Sequence, residues 1–328
     1  MKSIYLIIIT LLFVNCSQNQ TIELPKWYIN PPQNDSIKLY GVGYGMNIQN
    51  AEQNALDNLA QKIVVNISSS METLRQESSY NNQSNYSESS LQSVKSKVKK
   101  ISFMNFTNEK SVQVANQIYT LVSIDRSNLI KQYDDKISQT VKQIDQIIAL
   151  QKYQVAIEKK AGYLKIEKLI AKAEDNLIIL DSISINKTKI TQYKNKFNQL
   201  SLDHANIDNN LSIYVEHDQN SQLIADVITS EFAKNNIKIN TEKTNSSDEV
   251  LIKISSTETK QFLYGSYLIK SEINLAFRTN KNQIIKNSLM RLSGSSSISY
   301  EEAKINLSKK LAKKINDSNN IFNQLGFN

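Results

Sequence analysis

Cysteine occurs once in these 328 residues, at Cys16, tryptophan once, histidine twice, proline three times and glycine seven times. One thiol excludes an intrachain disulfide and any cysteine-pair zinc site, so stability must come from packed cores alone. The two histidines, His204 and His217, stand in no HExxH motif, and no GxSxG is present, which removes the common zinc-protease and serine-hydrolase signatures. Sparse Pro and Gly leave few turns for the length, while a hydrophobic content of 40% places the chain among folded proteins. After the first fifteen residues no run is apolar enough to cross a bilayer, which needs roughly 20 residues. What the chain has in excess is positive charge, +8 net, which suits anionic neighbours such as lipid headgroups, wall polymer or an acidic partner.

The N-terminus carries the strongest local pattern. Lys2 precedes an apolar run from Ile4 to Val14, interrupted only by Thr10, and the run stops at Asn15-Cys16. A cation, a short apolar segment and a cleavage region are the three parts of an export signal. The segment Phe13-Val14-Asn15-Cys16 resembles the lipobox of bacterial lipoproteins, with Asn15 where Gly, Ala or Ser is usual. The resemblance implies residues 1–15 as signal peptide, lipidation of Cys16, and residues 16–23 as a lipidated tether. One acyl chain binds a membrane only marginally, so the three chains of a fully processed lipoprotein are what makes such an anchor durable. Ser17, in place of Asp, implies sorting to an outer membrane. An exported location also removes nucleic acid as the partner of the basic surface.

The first folded module is expected over residues 24–125. Pro25-Lys26-Trp27-Tyr28 reads as extended backbone with Trp27 as a lid on the core. Lys38 to Gly45 reads as a strand ending in glycines. Ala51, Ala55, Leu56, Leu59, Ala60 and Ile63 then form one helical stripe, with small alanines that let the helix lie close on a sheet. From Ile63 the period changes to two (Ile63, Val65, Ile67), which predicts a strand. Eleven of the 29 residues from Ser68 to Ser96 are Ser, which predicts a long hairpin arm or loop. Strands Val98 to Thr107 and Val112 to Ile124, with a turn at Asn108-Glu109-Lys110, complete an antiparallel sheet carrying one helix. Gly41, Gly43 and Gly45 follow GxGxG rather than GxGxxG and lack a downstream ribose-binding acid. Close approach of helix to sheet explains them better than a phosphate loop.

Taken together, Pro25-Lys26-Trp27-Tyr28, the Tyr40-Gly41-Val42-Gly43 strand, the alanine-striped helix and the closing Tyr119-Thr120-Leu121-Val122 strand resemble the LPP-twenty lipoprotein family. The N-terminal domain of a periplasmic flagellar H-ring assembly protein is similar. The resemblance implies a small α/β module on a lipoprotein, with no catalytic residue to carry over.

Residues 126–205 are expected to form a helical hairpin or bundle. Ile130, Tyr133, Ile137, Val141, Ile144 and Ile148 step by three and four, Gly162 interrupts, and stripes through Leu169 to Leu180 and Ile190 to Leu200 follow. Residues 206–328 predict a C-terminal α+β sandwich of order β-α-β-β-β-β-α, with helices on one face and a turn at Thr279-Asn280-Lys281-Asn282. The fold class is therefore α+β.

No cofactor, metal site or catalytic set is expected, and the reading is not an enzyme. His217-Asp218 is one adjacent pair and no triad, and Glu301-Glu302 fits the first turn of a helix, where acids favour the positive dipole end. Lys309, Lys310, Lys313 and Lys314 cluster on the closing helix, either as a solvated face or as a contact for anionic membrane or polymer. Three functions stay open: a non-catalytic binding or assembly lipoprotein for an envelope or flagellar structure, a wall or glycan hydrolase built on paired carboxylates, and a structural coat lipoprotein. The first implies an envelope protein partner or self-association.

Overall fold

The computed structural model describes residues 23–80, 96, 103, 105–151, 154–244, 246–318 and 321–327, with backbone alone over 70–80. The signal run, Cys16 and most of the expected Val98 to Thr107 strand lie outside the described residues. The molecule is α+β, as the sequence predicts. It divides into two compact units, Met1–Asp134 with Ile178–Ile185, and Asp135–Leu177 with Asn186–Asn328.

The first unit is built on a three-stranded antiparallel sheet, β1 (Lys38–Gly45), β2 (Thr107–Val114) and β3 (Gln117–Asp125), in the order β1-β3-β2. Helix α1 is one turn, Lys26–Ile29, where extended backbone was expected. Helix α2, Ile48–Tyr80, covers the β1 face that carries Leu39, Gly41 and Gly43. A Cβ on Gly41 would stand 2.1 Å from the Ala55 carbonyl oxygen, and one on Gly43 would stand 2.3 Å from the Ala55 nitrogen. The glycines are thus strand residues that admit a helix backbone, as the spacing predicts.

Two expectations for this unit are overturned. There is no strand over 63–67. Ala51, Ala55, Leu59, Ile63 and Ile67 continue one i, i+4 stripe, all buried, while Val65 is 62% exposed, so the period-two reading mistook a helical face. The same helix runs on to Tyr80, over the first thirteen residues of the Ser-rich stretch expected as a hairpin arm, and residues 81–95 of that stretch lie outside the described residues. The turn between β2 and β3 falls at Ala115-Asn116, with Ala115 at φ 52°, and Asn108 to Lys110 hold a β-bulge instead. β2 is an outer strand with mostly exposed residues, so it lacks the alternation that would have marked it.

The outer edge of β1 is closed by α2. Asn54 Nδ2 donates to the Tyr44 carbonyl at 2.7 Å, Val42 N–H donates to Asn58 Oδ1 at 3.3 Å, and Lys62 Nζ donates to the Tyr40 carbonyl at 2.9 Å. These side chains sit at i, i+4 and i+8 beside the alanine stripe, so one helix both packs the face and satisfies the strand edge. From the other side, Tyr40 N–H donates to Asn34 Oδ1 at 2.8 Å.

Helices α3 (Arg126–Gln151) and α4 (Ala156–Ile183) run antiparallel, and α5 (Thr188–Asn210) follows. Arg126 Nη1 donates to the Ile183 carbonyl at 2.7 Å in the first unit, and Lys196 Nζ pairs with Asp145 at 2.6 Å in the second. Gly162 does not interrupt the helices, contrary to expectation. It lies inside α4, where a Cβ would meet Gln151 Nε2 at 2.2 Å, and the break falls before Ala156.

The second unit adds a five-stranded mixed sheet, β4 (Ser212–His217), β5 (Lys238–Asn240), β6 (Glu249–Leu263), β7 (Ser266–Thr279) and β8 (Ile284–Ser296), in the order β5-β4-β6-β7-β8. β4 is parallel to β5 and β6, and β6-β7-β8 form an antiparallel meander. Helices α6 (Gln222–Lys234), α7 (Tyr300–Asp317) and the short α8 (Ile321–Gln324) enclose a core that includes Phe232, Ile252, Leu275, Phe277, Leu311 and Phe322. Gly294 repeats the device of the first unit, its missing Cβ lying 2.0 Å from the Ala303 carbonyl oxygen of α7. The expected turn at Thr279 to Asn282 is present, with Asn282 at φ 64°.

Candidate interaction surface

The described surface of the first unit carries one aromatic cluster. Tyr44 and Tyr119 are register partners on the sheet face away from α2, stacked at 5.9 Å between ring centroids and 28° between planes. Tyr28 of α1 meets Tyr119 edge-on at 4.7 Å and 79°, and Trp27 meets Tyr28 edge-on at 6.3 Å. Tyr28 therefore closes this face, with the half-buried Trp27 edge-on to it. Partial burial, and then the neighbouring Tyr119 and Tyr44, raise the Tyr28 phenol above its ordinary pKa. Around the cluster, Tyr44 is 48% exposed and Met46 86%, with Ile29 and Val112 also exposed. Val112 pairs with Tyr119 in register, so Tyr44, Tyr119 and Val112 form one row across three strands. Aromatic rings with an apolar body and a polar tip are what protein interfaces favour.

The expected site residues fall elsewhere. Cys16 lies outside the described residues. Lys309, Lys310, Lys313 and Lys314 are all exposed on one flank of α7, and Lys310 Nζ donates to the Ser293 carbonyl at 2.9 Å. His217 is exposed, its Nδ1 2.9 Å from the Asp218 carbonyl oxygen. Asp218 Oδ2 accepts from Ser256 N–H at 3.1 Å. Slight burial pushes the Asp218 carboxyl up, and hydrogen bonds from Ser221 and Ser256 outweigh it, so the group is held below the ordinary carboxylate range. Glu301 and Glu302 occupy the first turn of α7, where Ser299 Oγ accepts from Glu302 N–H at 3.1 Å. Among the described residues no three His, Cys, Asp or Glu side chains are placed to hold a metal, and no helix is long and apolar enough to cross a membrane.

Sequence reasoning missed a buried ionic cluster in the second unit. Lys160 of α4 is 2% exposed and pairs with Asp208 of α5, while its Nζ lies 3.1 Å from His204 Nε2. An ammonium only donates, so Nε2 accepts and Nδ1–H is left to donate to Glu167 Oε1 at 2.5 Å. Tyr163 stacks on the imidazole at 5.5 Å and 4°. The arrangement ties α4 to α5. Asp208→Ala should destabilise the second unit by about 3 kcal/mol, because it strips a buried ammonium of its counter-charge. Lys160→Met with Asp208→Leu should recover most of that loss, and urea unfolding of the three proteins checks both expectations.

Residues 25–125 match the family model described as LPP20 lipoprotein. No curated protein matches the chain. Among solved structures, the secreted protein HP1454 from Helicobacter pylori aligns over 84% of this chain and 95% of its own, at 15% identity and a TM-score of 0.39. A minor lipoprotein from Acinetobacter baumannii aligns over 34% of this chain and 96% of its own, at 10% identity and a TM-score of 0.26. Lipoprotein B from Nitrosomonas europaea, itself uncharacterized, aligns over 35% and 86%, at 12% identity and a TM-score of 0.27. At such identities and scores these likenesses carry no functional argument. The family match and the aromatic cluster share the same residues, from Trp27 and Tyr28 to Tyr119, so the part of the chain that is similar to the LPP20 lipoprotein family is the part that carries the cluster.

Proposed function

We propose that this protein is an envelope lipoprotein, anchored through lipid on Cys16 in the outer membrane, that binds a protein of an envelope or flagellar-associated structure and performs no chemistry of its own. The observation that carries the reading is the patch on the LPP20-like module in which the exposed Tyr44 and Val112 flank the buried Tyr119, with Met46 and Ile29 also exposed. Strand register sets Tyr44 beside Tyr119, and Tyr28 of α1 packs edge-on against Tyr119, so binding there would have few side chains to order. The lysines of α7 supply a second contact of a different kind, to anionic headgroups or wall polymer.

A photo-crosslinking residue at Tyr44 of the full chain in living cells tests this. The expected result is a defined adduct with one envelope protein, absent when the crosslinker replaces Val65, which is exposed on α2. Equal labelling from both positions, or adducts with lipid and abundant lipoproteins alone, would retire the binding role in favour of a structural coat.

A further inference from the structure

The sheet edges of this molecule are treated unequally. β1 is sealed by Asn54, Asn58 and Lys62, β2 carries a bulge and the charges of Glu109 and Lys110, and β5 is three residues long. Each is a recognised way to prevent strand addition. β8, at the other end of the five-stranded sheet, is thirteen residues long.

Which of its backbone groups face outward follows from the ladder. Asp218 N–H donates to the Ile254 carbonyl and Ser256 N–H donates to Asp218, so the even-numbered residues of β6 point away from β7. Odd residues of β6 therefore bond β7 through its even residues, odd residues of β7 bond even residues of β8, and odd residues of β8 point outward. Helix α7 reaches two of them, with Lys310 donating to the Ser293 carbonyl at 2.9 Å and Asn306 Nδ2 to the Ser295 carbonyl at 3.0 Å. At the other end the register shifts opposite Phe277 and Arg278, which disrupts the strand near Ile285. Between these limits the outward N–H and C=O groups of Asn287, Leu289 and Arg291 lack a hydrogen-bond partner among the described residues. Leu289, at the centre, is 55% exposed.

We propose that this window pairs with the same window of a second copy, antiparallel and centred on Leu289, joining two five-stranded sheets across a two-fold axis. The window is symmetric about one residue, as an isologous antiparallel pair requires. In that register Leu289 meets Leu289, and Asn287 meets Arg291, so no like charges stand opposite each other. The three outward residues of each strand then exchange the hydrogen bonds they lack.

The test is oxidative cross-linking of the full chain in cell membranes, with single cysteines introduced on β8. Facing Leu289 positions in such a pair have Cα atoms about 5.5 Å apart, within disulfide reach. Leu289→Cys should give a disulfide-linked dimer. Arg291→Cys alone should not, and co-expressed Asn287→Cys and Arg291→Cys chains should give one together. The unvaried chain reports any linkage through Cys16. Leu289→Pro removes only an outward N–H, so it spares the ladder to β7. Combined with Asn287→Cys and Arg291→Cys, it should abolish the mixed dimer. Equal linkage from Leu289→Cys and Arg291→Cys, linkage that survives the proline, or linkage to a different protein would overturn the proposal. A proline variant with an altered circular-dichroism spectrum is replaced by Leu289→Lys, which sets like charges face to face with the same expected loss.

Discussion

Gly43→Ala is expected to unfold or severely loosen the first unit, at a cost above about 3 kcal/mol. Two effects oppose each other at this position. Alanine in place of a strand glycine should stabilise by roughly 0.5–1 kcal/mol through lower unfolded-state entropy. Against that, the new Cβ would lie 2.3 Å from the Ala55 nitrogen and 2.4 Å from the Ala51 carbonyl oxygen, both helix backbone. No rotamer relieves backbone contacts, so α2 would have to lift by on the order of 1 Å from a close-packed interface. That opens the contact made by Leu59 and Ile63 and pulls Asn54 and Asn58 from the β1 edge. Sterics win. Trp27 is the sole tryptophan and belongs to this unit, so its fluorescence in urea reports the loss directly. Gly265→Ala is the control. It sits at φ +73° with nothing within 4 Å, so only the left-handed backbone opposes the change, at about 1–2 kcal/mol.

The second large effect concerns Cys16→Ala. On the reading of residues 1–16 as a lipoprotein signal, the variant loses its only acylation site and is either left uncleaved or released as soluble protein. Each buried acyl methylene contributes about 0.8 kcal/mol, so loss of all three chains removes far more membrane affinity than any surface substitution could. Fractionation and gel mobility check it. Unchanged retention and unchanged mobility would contradict the lipid anchor.

Much of this architecture was legible because it rests on local periodicity. The alanine stripe facing Gly41 and Gly43 was legible as far as Ile63, since small residues on both partners leave one packing solution. The helices of residues 126–205 and the 279–282 turn were legible for similar reasons. Misreadings came where a local pattern was ambiguous. Ile63, Val65 and Ile67 fit a strand until Ile63 and Ile67 are seen to extend the helical stripe from Ala51. Asn108 to Lys110 looked like a turn because an exposed edge strand needs no apolar alternation. The clamp of Asn54, Asn58 and Lys62 had a signal, polar residues at helical spacing beside a buried stripe, but its meaning requires knowing that β1 is an edge. The Lys160–His204 cluster had none, because its members come from two helices and only the fold brings them together. The open window of β8 depends on ladder parity, which no composition reveals.

The central claim is a lipid-tethered binding module, and the N-terminal peptide of the membrane-extracted protein tests the tether most directly by mass. The account predicts a peptide that begins at Cys16 and carries a diacylglyceryl group and an amide-linked acyl chain. A peptide that begins elsewhere, or an unmodified Cys16, would contradict it.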